Sequence, residues 1–124
     1  MTQNISRNLE KVRTQIDIAA RQNGRSAADI RLVVVGKTRS IAEISAAVAA
    51  GAKDLGENRA QEFIAKKDEL NLPVRWHFIG TLQRNKVKNI VGTVDLIQSV
   101  DRFELAVEID KHSEKIGVIQ PILV

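Results

Sequence analysis

Lys37 is the residue whose position most strongly favours covalent chemistry. It follows an apolar, largely β-branched run at residues 32–36, a pattern typical of a strand buried on both faces. An ammonium group at the edge of an apolar interior loses hydration, which favours the neutral amine, and a neutral lysine amine attacks aldehydes to form a Schiff base. The alternative is an ordinary lysine at a strand end, with its alkyl stem on apolar surface and its charged head in solvent.

Polar residues also follow the next three predicted strands. These are Gly56-Glu57-Asn58, Gly80-Thr81 and Gln98-Ser99. Parallel strands end at the same edge of a sheet, so we expect these groups and Lys37 to meet in one site. The alternative is that each strand end is polar only because it meets water.

His77 lies between Trp76 and Phe78 in the third predicted strand. Two interpretations stay open. His77 is either a core histidine bonded to backbone, or a ring that stacks near a ligand or donates a hydrogen bond to a residue that contacts the ligand. His77 and His112 are too few and too far apart for a dedicated metal site, and no HExxH motif or carboxylate cluster is present. We therefore expect no metal.

Hydrophobic periodicity and turn residues divide the chain into alternating elements. The predicted strands span residues 32–37, 53–56, 75–79, 94–98 and 118–124. The predicted helices span 4–22, 40–51, 58–70, 84–91 and 101–115. The expected N-cap pairs, each a capping residue with its partner three positions on, are Ser40/Glu43, Asn58/Gln61 and Asp101/Glu104. Gly24, Gly51 and Gly117 are the expected helix ends.

Strands that alternate with helices indicate βαβ units and a parallel sheet, hence an α/β fold. Strands that begin about 20–25 residues apart suit a (β/α) barrel of TIM type, although a doubly wound sheet shows the same alternation. A full barrel needs about 200–250 residues, whereas this chain has 124. We therefore expect residues 1–124 to form a single partial domain, an incomplete barrel of the first four βα units plus the start of strand five.

Composition excludes several other classes of function. The chain has no cysteine, which excludes disulfides, thiolate metal sites and cysteine nucleophiles. It has no apolar run long enough to span a bilayer and no signal-peptide pattern, so we expect a cytoplasmic protein without a membrane partner. The net charge of +4 is mild and aromatic residues make up 3%, so we expect no nucleic-acid partner.

Four segments together resemble the family of pyridoxal phosphate homeostasis proteins. They are Val34-Val35-Gly36-Lys37-Thr38, Gly56-Glu57-Asn58 with Gln61-Glu62, Trp76-His77-Phe78-Ile79-Gly80-Thr81-Leu82-Gln83-Arg84-Asn85-Lys86, and Ile97-Gln98-Ser99-Val100-Asp101. The third segment is similar to the family's signature and is specific. The order and spacing of all four agree with the family from the N-terminal helix to Val124.

This resemblance implies a barrel of the alanine racemase N-terminal domain type. It implies that Lys37 forms an internal aldimine with pyridoxal 5′-phosphate (PLP), that Asn58 lies beside the cofactor and that His77 lines the same pocket. Family members carry and buffer the cofactor, which affects amino-acid and keto-acid balance, and they have no established catalytic reaction. The resemblance therefore implies a PLP-binding protein that is not an enzyme.

The chain departs from the family in length. Family members have the size of a full barrel, and their phosphate-binding Ser, Gly and Thr residues lie in later strands, so we expect weak or undetectable cofactor binding by these 124 residues alone. A half barrel also leaves unpaired strand edges and an uncovered apolar face, so we expect self-association through those edges.

Two other functions stay open. One is a PLP-dependent enzyme resembling an amino-acid racemase, which would need a second domain and a Tyr or Cys base. The other is a non-catalytic interaction module, in which Lys37 is incidental and the basic segment of Arg84, Lys86 and Lys88 binds an acidic partner.

Overall fold

The computed structural model describes residues 2–124, in which helices and strands alternate along the chain. The α-helices are α1 (Thr2–Gln22), α2 (Ile41–Ala49), α3 (Ala60–Leu70), α4 (Val87–Ile90) and α5 (Phe103–Ile116). The strands are β1 (Val33–Val35), β2 (Asp54–Glu57), β3 (Arg75–Phe78) and β4 (Leu96–Ile97), and short 3-10 helices span Ala27–Asp29 and Arg84–Lys86. None of the helices in residues 2–124 is long and apolar enough to cross a lipid bilayer.

The four strands form one parallel sheet in the order β1-β2-β3-β4. This confirms the parallel α/β fold. The order in space follows the order in the chain, whereas a doubly wound sheet reverses its order at a switch point. Ile122 pairs with Ile97 as an isolated parallel bridge, so the fifth predicted strand begins next to β4 but makes only this one pairing.

One face of the sheet packs against the helices and forms the core. Leu55, Phe78 and Ile97 from the strands are almost fully buried, as are Phe63 of α3 and Leu105 of α5. Successive residues of a strand point to opposite faces, so the residues between these belong to the other face. Val35 of that other face is 48% exposed, which leaves apolar surface of the sheet open to solvent.

The predicted helix ends are confirmed where a capping box or a left-handed glycine sets them. Ser40 and Glu43 exchange side-chain and backbone hydrogen bonds at the start of α2. Gly51, with φ of 103°, follows α2, and Gly117, with φ of 72°, ends α5. A glycine adopts these positive φ values without the steric penalty that a Cβ atom brings.

The other two predicted N-caps are wrong. Helix α3 begins at Ala60 after Arg59, and α5 begins at Phe103 after Arg102, in both cases without a side-chain cap. Asp101 pairs instead with the guanidinium of Arg102. Asn58 lies two residues before α3, and its side chain belongs to the end of β2 and not to the helix.

Candidate functional site

Lys37 lies in a tight turn that follows β1. The predicted strand through residue 37 is wrong, because β1 ends at Val35 and the backbone N–H of Arg39 donates to the Gly36 carbonyl at 3.1 Å. Thr38 adopts φ of 60° within the turn, a conformation that a β-branched residue rarely adopts. The Lys37 side chain is exposed, so its amine is not in the apolar surroundings that the strand pattern predicted. The turn presents it to solvent at the edge of the sheet.

Asn58 and Gly80 bring the ends of β2 and β3 into close contact. A Cβ atom on Gly80 would overlap the Asn58 carbonyl oxygen, so only glycine allows this approach. The side chain of Ser99 donates a hydrogen bond to the Gly80 carbonyl, which adds the end of β4. The ends of three strands are thus joined by direct contacts, as their polar residues predicted.

Asn58 has an unused hydrogen-bond acceptor. Its side-chain Oδ1 is buried and has no partner within residues 2–124. A buried polar atom without a partner is costly and is uncommon in folded proteins. An acceptor is thus left open at the end of β2, where the family resemblance implies that Asn58 lies beside the cofactor.

Replacing Gly80 by alanine is expected to lower the free energy of unfolding by about 2 kcal/mol, because the added methyl group meets backbone that must move. Gly24→Ala is the matched control, since Gly24 has open space around the corresponding position and only a positive φ of 68° to oppose the change. Urea denaturation followed by Trp76 fluorescence measures both. A loss for Gly80→Ala no larger than that for Gly24→Ala would contradict the close contact with Asn58.

His77 is a buried part of a side-chain network, not a histidine bonded to backbone. Its Nε2 lies 2.8 Å from Oδ1 of Asp54, and its Nδ1 lies 2.9 Å from Nε2 of Gln98. An amide N–H that donates to Nδ1 leaves the proton on Nε2, from which it donates to Asp54. Both ring nitrogens are therefore engaged, so His77 can contact a ligand only through its carbon edge or ring face.

Asp54 is the centre of this network. Arg75 donates to both of its carboxylate oxygens at 2.8 Å, and Arg31 lies 3.7 Å away. Burial of Asp54 opposes ionisation, but the hydrogen bonds and charge of Arg75, together with the bond from His77, outweigh it and hold the pKa of Asp54 below its ordinary value. Asp54 is therefore an ionised anchor for the basic side chains around it.

A second buried network joins β2 to α3. Lys66 Nζ lies 2.8 Å from Oε1 of Glu57 and 2.5 Å from the carbonyl oxygen of Gly36, and both charged side chains are buried. Burial raises the pKa of Glu57, and the ammonium of Lys66 offsets part of that increase. The other carboxylate oxygen of Glu57 is buried without a partner in the described part of the chain.

Lys37 and Asn58 lie at one edge of the sheet, whereas His77 lies within the sheet below that edge. In register, Val35, Gly56 and His77 are neighbours across the sheet, so Lys37 and Asn58 each lie two residues beyond this row. His77 and Asp54 line a cavity that Lys37 does not line. Clusters of three or more His, Asp or Glu side chains able to hold a metal ion are not found in residues 2–124.

Sequence reasoning missed Asp54 and Lys66. Lys66 lies between Phe63 and Leu70 on the buried stripe of α3, so a lysine at an apolar position of the helical pattern was the available signal. Asp54 likewise replaces an apolar residue within a strand of which all four residues are buried. Charged residues at such positions are buried only when they are paired.

Comparison with known proteins gives clear sequence relatives, although no family model matches the chain. The chain is 40% identical over 122 residues to the pyridoxal phosphate homeostasis protein of Aquifex aeolicus, which covers 98% of this chain and 54% of that protein. It is 43% identical over 103 residues to the protein of the same name from Pseudomonas aeruginosa, which covers 82% of this chain and 45% of the relative.

The structure is similar to that of PipY from Synechococcus elongatus PCC7942 with PLP bound. The TM-score is 0.82 at 34% sequence identity, and the match covers 95% of this chain and 52% of PipY. The chain spans about half the length of the curated relatives it matches. Sequence and fold agree on one assignment: this chain belongs to the family of pyridoxal phosphate homeostasis proteins.

Proposed function

We propose that this chain contributes the attachment lysine and one wall of a PLP site, and that the protein acts in PLP homeostasis as a carrier and buffer of the cofactor. The observation that carries the proposal is the placement of Lys37 and Asn58 at corresponding ends of the neighbouring strands β1 and β2. The similarity to PipY, whose structure was solved with PLP bound, supports it.

The residues at this edge suit the cofactor. PLP supplies an aldehyde that condenses reversibly with a primary amine and releases water. The exposed turn gives the Lys37 amine free access to an incoming ligand, and Asn58 offers a buried oxygen that lacks a donor. His77 supports the site from below, because Asp54 and Gln98 fix the orientation of its ring.

We further propose that residues 1–124 are one partial domain of a (β/α) barrel. Strand order that follows chain order supports this, as does the pairing of Ile122 with Ile97 at the position of a fifth strand. Phosphate sites of such barrels are built by the last strands, which fits relatives of about twice this length. The 124 residues alone then bind PLP weakly, because the contacts to its phosphate are missing.

We also propose that binding and release, without a reaction on amino acids, is the function of the site. A PLP enzyme needs a second acid or base opposite its lysine. Within residues 2–124, Glu57 lies on the core face of the sheet in the row of Phe78 and Ile97. His77, on the other face, is bonded through both ring nitrogens to Asp54 and Gln98. A histidine bonded in this way orients the site and presents no ring nitrogen to a substrate.

Borohydride trapping tests the proposed attachment site, because reduction captures the adduct even when binding is weak. The chain is incubated with PLP, reduced, digested and mapped by mass spectrometry. We expect Lys37 to be modified much faster than Lys53. Lys53 is also exposed, but it immediately precedes β2 and so lies at the other end of the sheet. Equal modification of the two lysines would overturn the proposal.

Self-association is the expected behaviour of the isolated chain. Val35, on the open face of the sheet, is 48% exposed, and Leu123 and Val124 beside β4 are 50% exposed or more. Apolar strand edges of this kind pair with other chains. Sedimentation velocity should show a weight-average mass that rises with concentration, whereas a monomer at every concentration would contradict the prediction.

A further inference from the structure

The carbonyl oxygen of Gly36 accepts two hydrogen bonds, and both bear on the turn that presents Lys37. One comes from the backbone N–H of Arg39 at 3.1 Å and closes the turn. The other comes from Nζ of Lys66 at 2.5 Å and reaches across from α3. A carbonyl has two acceptor sites, so this oxygen is fully used, and a buried cation lies directly behind the turn.

Burying the charge of Lys66 to make this contact costs free energy. It is 8% exposed, and its charge is balanced by Glu57, which is 1% exposed. Replacing a buried ion pair by apolar residues of similar volume often leaves a protein as stable or makes it more stable. Stability alone therefore does not account for a lysine at a position of α3 that otherwise faces the core.

Gly36 leaves room for the ion pair of Glu57 and Lys66 beside the end of β1. A Cβ atom at Gly36 would lie 2.8 Å from Oε1 of Glu57, so glycine allows the carboxylate to approach the strand end. Thr38 holds a positive φ of 60° in the same turn. Such a backbone conformation persists only where surrounding contacts fix it, and the bond from Lys66 to Gly36 is a contact of that kind.

We propose that Lys66, held by Glu57, is a positioning residue that fixes the turn at residues 36–39 and so the direction of the Lys37 amine. The inference rests on the proposed function of Lys37. It adds that the site depends on a buried charge in α3 that touches no ligand. Loss of the charge lets the turn open, so that the amine samples many directions and meets the aldehyde less often.

The first test compares Lys66→Met with Lys67→Met. Lys67 is the matched control because it lies in the same helix and also donates to a backbone carbonyl, that of Thr93, at 2.8 Å. We expect Lys66→Met to raise the hydrogen-exchange rate of the Arg39 amide about tenfold, the effect of losing a hydrogen bond to a charged group. Lys67→Met should leave that amide unchanged.

The same variants are then treated with PLP and borohydride. We expect Lys66→Met to slow the modification of Lys37 relative to Lys53, and Lys67→Met to leave this ratio unchanged. Unchanged Arg39 exchange and an unchanged ratio in Lys66→Met would overturn the positioning role. Because amide exchange needs no cofactor, it reports on the turn even if Lys37 proves not to be the attachment site.

A double variant separates positioning from stability. Glu57→Gln with Lys66→Met removes both buried charges, so no uncompensated charge is left in the core. We expect this protein to unfold at about the urea concentration of the wild type and still to show fast Arg39 exchange and slow modification of Lys37. Wild-type values for both readouts in a stable double variant would show that the pair is only structural and would reject the proposal.

Discussion

Replacing Lys37 by alanine is expected to abolish the preferred modification of this chain by PLP. The other lysines will retain only the slow, unselective reaction that any exposed amine shows. The fold should not change, since Lys37 is exposed in a turn and substitutions at such positions cost about 0.5 kcal/mol or less. Peptide mapping after borohydride reduction, with the circular dichroism spectrum as the test of folding, measures both effects.

Lys37→Arg is the informative control. Arginine keeps the positive charge that attracts a phosphate, but its guanidinium stays protonated and does not condense with an aldehyde under these conditions. If the amine is the attachment point, both variants lose the modification equally. Retention of the wild-type pattern in Lys37→Ala would reject Lys37 as the attachment residue and would leave the interaction-module hypothesis as the stronger one.

The alternation of strands and helices could be predicted from the sequence because each element follows from local rules. The β-branched run before Lys37 predicts a buried strand, and Ser40 with Glu43 predicts the start of α2. In the structure α2 begins as predicted and a strand forms before Lys37, but β1 is only half-buried, because one face of the sheet is open and Val35 is 48% exposed. Polar residues after the strands also predicted that the strand ends would meet in one site with Lys37. The contacts between Asn58, Gly80 and Ser99 join the ends of β2, β3 and β4, whereas Lys37 does not line the cavity of His77.

Strand lengths and two caps could not be predicted, because neighbours in space decide them. β4 comprises only Leu96–Ile97, although the sequence predicts a strand over residues 94–98. Asn58 satisfied the sequence rule for an N-cap, yet the chain keeps it at the end of β2 beside Gly80 and begins α3 at Ala60. Whether a polar residue caps a helix or serves the strand before it depends on tertiary packing.

The buried networks could not be predicted from the sequence for a related reason. Asp54 lies in β2, Arg75 and His77 lie in β3, and Gln98 follows β4. Only the register of the sheet brings them together. The spacing of residues along the chain does not reveal the register in which the strands pair. The single local clue is the charge itself at a position where the pattern calls for an apolar side chain, as at Asp54 and at Lys66.

Asp54→Asn is expected to destabilise the chain by about 2 kcal/mol near neutral pH, between the scales for a buried and an exposed ion pair, because Asp54 is buried but the Arg75 side chain is 45% exposed. The new amide is nearly the same size as the carboxylate, so no cavity forms. The substitution does, however, replace a carboxylate oxygen that accepts a hydrogen bond from Arg75 with an NH2 group. Two donors then face each other. Asp17→Asn is the control: the exposed pair of Asp17 with Arg21 should contribute less than about 1 kcal/mol.

The pH dependence identifies the charge as the cause. The hydrogen bonds from Arg75 and His77 hold the folded-state pKa of Asp54 below its ordinary value, so its carboxylate stabilises the folded state at pH above that ordinary value. The stabilisation is lost as pH falls through the folded pKa. We therefore expect the gap in unfolding free energy between wild type and Asp54→Asn to be constant near neutrality and to shrink below about pH 4.

Glu57 does not obscure this comparison. Its raised pKa means that ionising it costs stability as pH rises above its ordinary value, which is the opposite sign to Asp54. Both proteins contain Glu57, so its contribution cancels in the difference between them. Urea denaturation followed by Trp76 fluorescence at several pH values gives that difference. A gap that stays constant down to pH 2 would show that Asp54 acts through shape and hydrogen bonds, not through its charge.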